Sequence, residues 1–139
     1  DDALRQVLKT LREVTMGQLL VMFGCGGNRD QGKRFKMGTA VAEWADEILI
    51  TTDNSRQEES AVIAEQVAEG CRAVRSNGFE IELDRAMAID EVIRRAWPGD
   101  TVLLAGKGHE TYQELGDMVM PFDDREHARE TLAALGYGE

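Results

Sequence analysis

The chain has 139 residues, 42% hydrophobic and 30% charged, with a formal net charge of −10. That length suits one domain with a buried core, and the composition is globular rather than disordered. The negative charge argues against nucleic acid and anionic membrane surfaces, which both call for clustered Lys and Arg, and no apolar run nears the roughly 18 residues that span a bilayer.

Asp1 and Asp2 read as a helix cap, and Leu4, Val7, Leu8 and Leu11 follow at helical spacing, predicting a helix over about 2–14. A chain opening on a cap with no initiator Met is expected to be a piece of something longer. Gly17 marks a turn, and Leu19-Leu20-Val21-Met22-Phe23 predicts a strand buried on both faces, hence a parallel sheet. A glycine-rich loop comes next. Met37, Ala40, Val41 and Trp44 then predict a helix ending near Asp46, and Ile48–Thr51 a second strand. A helix over about 60–69 carries Val62, Ile63 and Val67 and is expected to stop at Gly70. Residues 71–78 carry no assignable pattern, and Phe79, Ile81 and Leu83 alternate weakly as a strand.

Ala86, Ile89, Ile93 and Ala96 predict a helix closed by Pro98-Gly99-Asp100, and Thr101–Ala105 is another buried strand. A hairpin is expected at Gly116-Asp117 with Met118–Met120 returning, and Asp123 or Asp124 caps a final helix with Ala128, Leu132 and Leu135. Strands alternating with helices give an α/β fold, a doubly wound, mostly parallel sheet with one antiparallel strand late in the chain. There is no secretion-signal pattern. The two cysteines, Cys25 and Cys71, indicate neither a disulfide framework nor a zinc site, so a reducing cytoplasm is the expected location.

Three charged, glycine-containing clusters each follow a predicted strand: Gly24–Asp30, Asp53–Arg56 and Gly106–Glu110. Loops leaving the carboxyl ends of parallel strands converge on one edge, where ligands bind. The first cluster departs from a dinucleotide fingerprint, because Arg29 stands where the third glycine belongs. Gly27–Lys33 matches a phosphate loop, but Arg34 follows where a Ser or Thr would hold magnesium. A turn exposing backbone N–H groups and Arg29 to a carboxylate or phosphate remains. Arg56 can clasp a carboxylate with two hydrogen bonds, while Asp53 or Asn54, and Glu110, can receive an ammonium. His109 is either a proton carrier or a structural hydrogen-bonding group, and Cys25 is expected to be a buried, inert thiol. Together these groups suit a zwitterion such as a diamino dicarboxylic acid.

The segments Phe23–Arg34, Asp53-Asn54-Ser55-Arg56 and Ala105–Gln113, with Pro121–Glu126 near the end, closely resemble the carboxyl-terminal domain of the Mur ligases. The resemblance spans essentially the whole chain, residues 1–139. It implies a three-domain, ATP-dependent ligase of the branch that adds the third residue of the peptidoglycan stem peptide to UDP-MurNAc-L-Ala-D-Glu. ATP and Mg2+ would bind mainly in domains outside this chain, so the isolated piece is expected to be inactive, a monomer and bacterial cytoplasmic. The resemblance also implies that Arg29, Asp53, Asn54, Ser55, Arg56, Gly106 and Glu110 contact the incoming amino acid. Arg56 points to meso-diaminopimelate, since members using lysine lack an Arg there. The family usually has Pro in place of Ser55, and its Asp-Tyr-Ala-His segment is expected just upstream of Asp1. A non-catalytic small-molecule or anion-binding module is the alternative reading.

Overall fold

The computed structural model describes residues 2–27, 31–107 and 110–137. Its elements run α1 (Asp2–Val14), β1 (Leu19–Phe23), α2 (Gln31–Trp44), β2 (Glu47–Ile50), α3 (Ser60–Arg72), β3 (Phe79–Ile81), α4 (Arg85–Arg95), β4 (Thr101–Ala105), β5 (Tyr112–Leu115), β6 (Met118–Pro121) and α5 (Asp124–Ala134). Four strands form one parallel sheet in the order β3-β2-β1-β4.

The central strand explains the layering. All of Leu19–Phe23 is buried, and alternate side chains point to opposite faces. Leu19, Val21 and Phe23 pack with Leu8, Val41 and Val67 of α1, α2 and α3, whereas Leu20 and Met22 pack with Ala88, Ile89 and Val92 of α4. The chain winds outward from β1 to β2 and β3, then returns to lay β4 on the far side of β1. Because such crossovers are right-handed, reversing direction moves the connecting helix to the other face. The doubly wound α/β sheet expected from the sequence is therefore the fold observed. Its switch point, the crevice where ligands bind in such sheets, lies at the carboxyl ends of β1 and β4.

The late antiparallel excursion is a two-stranded sheet of its own, β5 with β6, rather than an added strand of the main sheet. It turns at Gly116, φ 61°, and docks on the chain leaving β2. There Arg56 N–H donates to the Glu114 carbonyl (3.1 Å) and Gly116 N–H to the Arg56 carbonyl (2.6 Å).

Gly70 does not stop α3, contrary to the sequence reading; the helix continues to Arg72. The glycine instead allows two helices to touch. A Cβ on Gly70 would lie 2.1 Å from the Phe35 carbonyl oxygen of α2, and one on Gly38 2.2 Å from the Val67 oxygen of α3. Residues 71–78, unassigned from sequence, end α3 and then hold Arg75 under the close of α2. Its guanidinium donates to the Ala45 carbonyl and to that of Asp46 (2.9 Å), the two residues that follow the end of α2 at Trp44. Asp123 caps α5, accepting from Arg125 N–H (2.9 Å), which leaves Asp124 free for a different task.

Candidate functional site

β1, β2 and β4 deliver the three sequence clusters to one place. A cavity of about 220 Å³ is lined by Gly24 and Gly26 from the first loop, Asp53, Asn54 and Arg56 from the second, and Gly106 and Glu110 from the third. This is below the roughly 300–1,000 Å³ of pockets for drug-sized ligands, so it suits a compact molecule rather than a dinucleotide. Arg29 and His109 lie outside the described residues.

The loops meet backbone to backbone. A Cβ on Gly27 would fall 1.8 Å from the Ser55 carbonyl oxygen, and Gly27 N–H donates to the Asn54 carbonyl (2.7 Å). Gly106 has φ 107°, a left-handed conformation open to glycine, and a Cβ there would lie 2.9 Å from the Gly24 oxygen. The first and third glycine clusters thus bring β1 and β4 loops together across the switch point.

Thr51 through Ser55 are all buried, unusual for a polar run leaving a strand. Asn54 accounts for it in part. Its Oδ1 accepts from Glu114 N–H (2.9 Å) and its Nδ2 donates to Glu110 Oε1 (3.1 Å), tying the second loop to the hairpin and to the third loop. Ser55 is buried behind the cavity rather than lining it, its carbonyl against Gly27 and accepting from Glu58 N–H (3.0 Å).

Arg56 takes up φ 53°, the left-handed region that side chains rarely adopt. Its Nη1 donates to the Gly27 and Asn54 carbonyls (3.1 and 3.2 Å), while Nη2 stands 3.6 Å from the Glu114 carboxylate. Nε and Nη2 make no hydrogen bond within the 3.5 Å range among the described residues, so one edge of the fork is available to a second carboxylate. Asp53 presents the opposite charge. Its Oδ1 is buried without a hydrogen-bond partner among the described residues. Burial raises its proton affinity, opposed by the positive charges of Arg85 and Lys107. A buried carboxylate oxygen without a donor favours a ligand that brings one. Cys25 lines the cavity, but burial pushes its thiol up to about 12, so the inert reading holds.

Three charged side chains around the site went unassigned in the sequence. Arg34 is buried, forked onto Glu58 (2.7 and 3.0 Å) and bonded to Gln66 (2.7 Å) and the Gly26 carbonyl (3.1 Å). The position that would hold magnesium in a phosphate loop is therefore an internal strut. Lys107 is buried beside the Tyr112 and Phe122 rings (5.6 and 5.8 Å), donating to the Tyr112 carbonyl, with burial lowering its proton affinity. Arg85 is fully buried against Asp124. One signal could have found it: Arg85, Ala88, Ile89 and Val92 share the buried stripe of α4, and a guanidinium there needs a partner.

The profile of the "Mur ligase, glutamate ligase domain" family matches residues 1–108. UDP-N-acetylmuramoyl-L-alanyl-D-glutamate–2,6-diaminopimelate ligase of Streptomyces coelicolor is 46% identical over 134 residues, covering 94% of this chain and 26% of that protein. The ligase of the same name from Synechococcus elongatus is 48% identical over 132 residues, covering 95% and 26%. A solved structure of such a ligase superposes with a TM-score of 0.85 at 38% identity, covering 99% of this chain and 28% of its own. The chain thus spans about a quarter of the length of the relatives it matches. On the profile and these relatives alike, the chain belongs to the Mur ligase family, through its carboxyl-terminal, glutamate ligase domain.

Proposed function

We propose that the chain is the amino-acid-binding domain of a larger ligase that adds the third residue of the peptidoglycan stem peptide to UDP-MurNAc-L-Ala-D-Glu. Its ligand in this reading is meso-diaminopimelate. One observation carries the reading: a single small cavity is lined by the guanidinium-bearing Arg56 together with the carboxylate-bearing Asp53 and Glu110. Those are the opposite poles a diamino dicarboxylic acid presents. Arg56, with Arg29, takes a carboxylate; Asp53 and Glu110 take an ammonium. Asn54 acts mainly by bracing Glu110, since its carboxamide is bonded at both ends. Gly106 lets the third loop approach, and Ser55 supports the second from behind.

The domain contributes orientation and selection. Holding an amine at attack distance from an activated carboxyl group can supply about 7–11 kcal/mol of the barrier. A site built for a distal carboxylate rejects an analogue without it by roughly 10⁴-fold, because its own polar groups are left unpaired. ATP and Mg2+ supply the carboxyl activation and bind mainly outside this chain, while Arg34, in the place of the magnesium-holding Ser or Thr, is engaged with Glu58. The intact enzyme in this reading is a monomer of the bacterial cytoplasm, and the chain alone does not turn over ATP.

Calorimetric titration of the chain tests this. Meso-diaminopimelate is expected to bind, and L-lysine, NAD and ATP are not. Tighter binding of ATP or NAD than of diaminopimelate refutes the reading and favours a general anion-binding module.

A further inference from the structure

We propose that Arg85 is a positioning residue, whose forked side chain fixes the gap between the two halves of the amino-acid site. This rests on the cavity being that site. Arg85 opens α4 on the second face of the sheet, with its side chain wholly buried. Nε and Nη2 grip the two oxygens of Asp124 (2.8 and 2.7 Å). Nη1 donates to the Thr52 carbonyl (2.9 Å) and Nη2 to that of Ala105 (3.2 Å).

Those carbonyls are the significant contacts. Thr52 immediately precedes Asp53, and Ala105 immediately precedes Gly106. They leave β2 and β4, which stand on either side of β1, so their axes are about 9.5 Å apart at ordinary strand spacing. One rigid guanidinium therefore bridges the loop with Asp53 and Arg56 and the loop with Glu110, beneath the point where β1 ends. Asp124 holds that guanidinium from the first residue of α5, so the last helix reaches the site through it. The same charge is the largest attraction opposing the effect of burial on Asp53.

Stability alone does not account for the arrangement. A buried ion pair is often no more stabilising than apolar residues of similar volume. A planar fork with four oxygen partners on three separate elements does what an apolar pair cannot, which is to set distances. Lysine keeps the charge but cannot reach all four oxygens in one plane.

The test uses the intact ligase carrying Arg85→Lys, Asp124→Asn, or the apolar pair Arg85→Met with Asp124→Leu. Expected is a rise of roughly tenfold or more in KM for meso-diaminopimelate, since misplacement near 1 Å at a reacting group can cost about 100-fold. KM for ATP is expected to stay within about twofold, and the preference for diaminopimelate over L-lysine to shrink. A purely structural Arg85 lowers Tm and the active fraction while leaving KM and preference alone. Unchanged KM and preference in any folded variant overturns the proposal; if the apolar pair does not fold, the two conservative variants decide. Failure of the wild-type enzyme to use diaminopimelate refutes the reading of the cavity instead, so the two failures are distinct.

Discussion

Replacing Arg56 by glycine in the intact ligase separates recognition of the distal carboxylate from everything else the loop does. Glycine is the cleaner deletion than alanine because Arg56 sits at φ 53°. The left-handed conformation costs a side-chain-bearing residue roughly 1–2 kcal/mol, and glycine relieves it. That relief offsets the loss of two hydrogen bonds from Nη1 to the Gly27 and Asn54 carbonyls. The ion pair with Glu114, at 3.6 Å between partly exposed groups, adds little. Stability should thus change by less than about 1 kcal/mol. Binding should not escape so lightly. Two charge-assisted hydrogen bonds to a ligand carboxylate are worth about 1.5–3 kcal/mol each, and the side chain is 22% exposed, so the lower bound of about 3 kcal/mol applies. That corresponds to a loss of roughly 100-fold in apparent affinity for diaminopimelate. The assay is phosphate release, measured as KM for diaminopimelate, L-lysine and ATP in turn. Lysine has no distal carboxylate and leaves Arg56 unpaired, so its KM should fall rather than rise, and that of ATP should not move. A rise in diaminopimelate KM below about threefold, or a parallel rise for lysine, refutes the assignment of Arg56.

Four further outcomes follow from the same geometry. Glu114→Gln removes the carboxylate that competes for Arg56 Nη2, so diaminopimelate binding should tighten by a few-fold, about 0.2–1 kcal/mol, in calorimetry. Gly27→Ala forces the first and second loops apart, since its Cβ would lie 1.8 Å from a backbone oxygen; a loss of about 1–3 kcal/mol should appear in thermal melts together with weakened ligand binding. Gly70→Ala should also destabilise, even though alanine is the better helix former by about 1 kcal/mol, because the Phe35 carbonyl stands 2.1 Å from the new Cβ; a higher Tm would contradict the packing of α2 on α3. Finally, burial raises the Asp53 pKa above its ordinary 3.8, so the folded state holds this proton longer than the unfolded state. Its contribution is therefore fully present below 3.8 and is lost as pH rises through the folded-state value. Asp53→Asn should flatten that fall and raise stability at neutral pH in urea titrations against pH, whereas a steeper fall would contradict it.

Much of the architecture was legible in the chain because its signals are local. An unbroken apolar run such as Leu19–Phe23 has nowhere to go but a strand covered on both faces, and helical spacing in α4 and α5 needs no partner to be read. Cluster position was equally legible: charged glycine loops directly after strands must share the carboxyl edge of a parallel sheet, and Arg56 and Glu110 do line one cavity. Gly70 shows where local reading fails. A glycine ends helices by its freedom, but it also permits close approach, and only the presence of α2 opposite decides between the two.

The sequence by itself therefore determined the order of elements, the sheet class and which loops meet at one cavity. Tertiary structure alone decided what each polar group is bonded to. Asn54 became a brace between Glu110 and Glu114, Ser55 a backbone support, and Arg34 a strut to Glu58. Arg85 joined strand ends that are remote in sequence from it, through carbonyls that no side-chain pattern records. The reason is physical: apolar burial follows from periodicity along the chain, whereas a hydrogen bond depends on distances of a few tenths of an ångström between segments that meet only after folding.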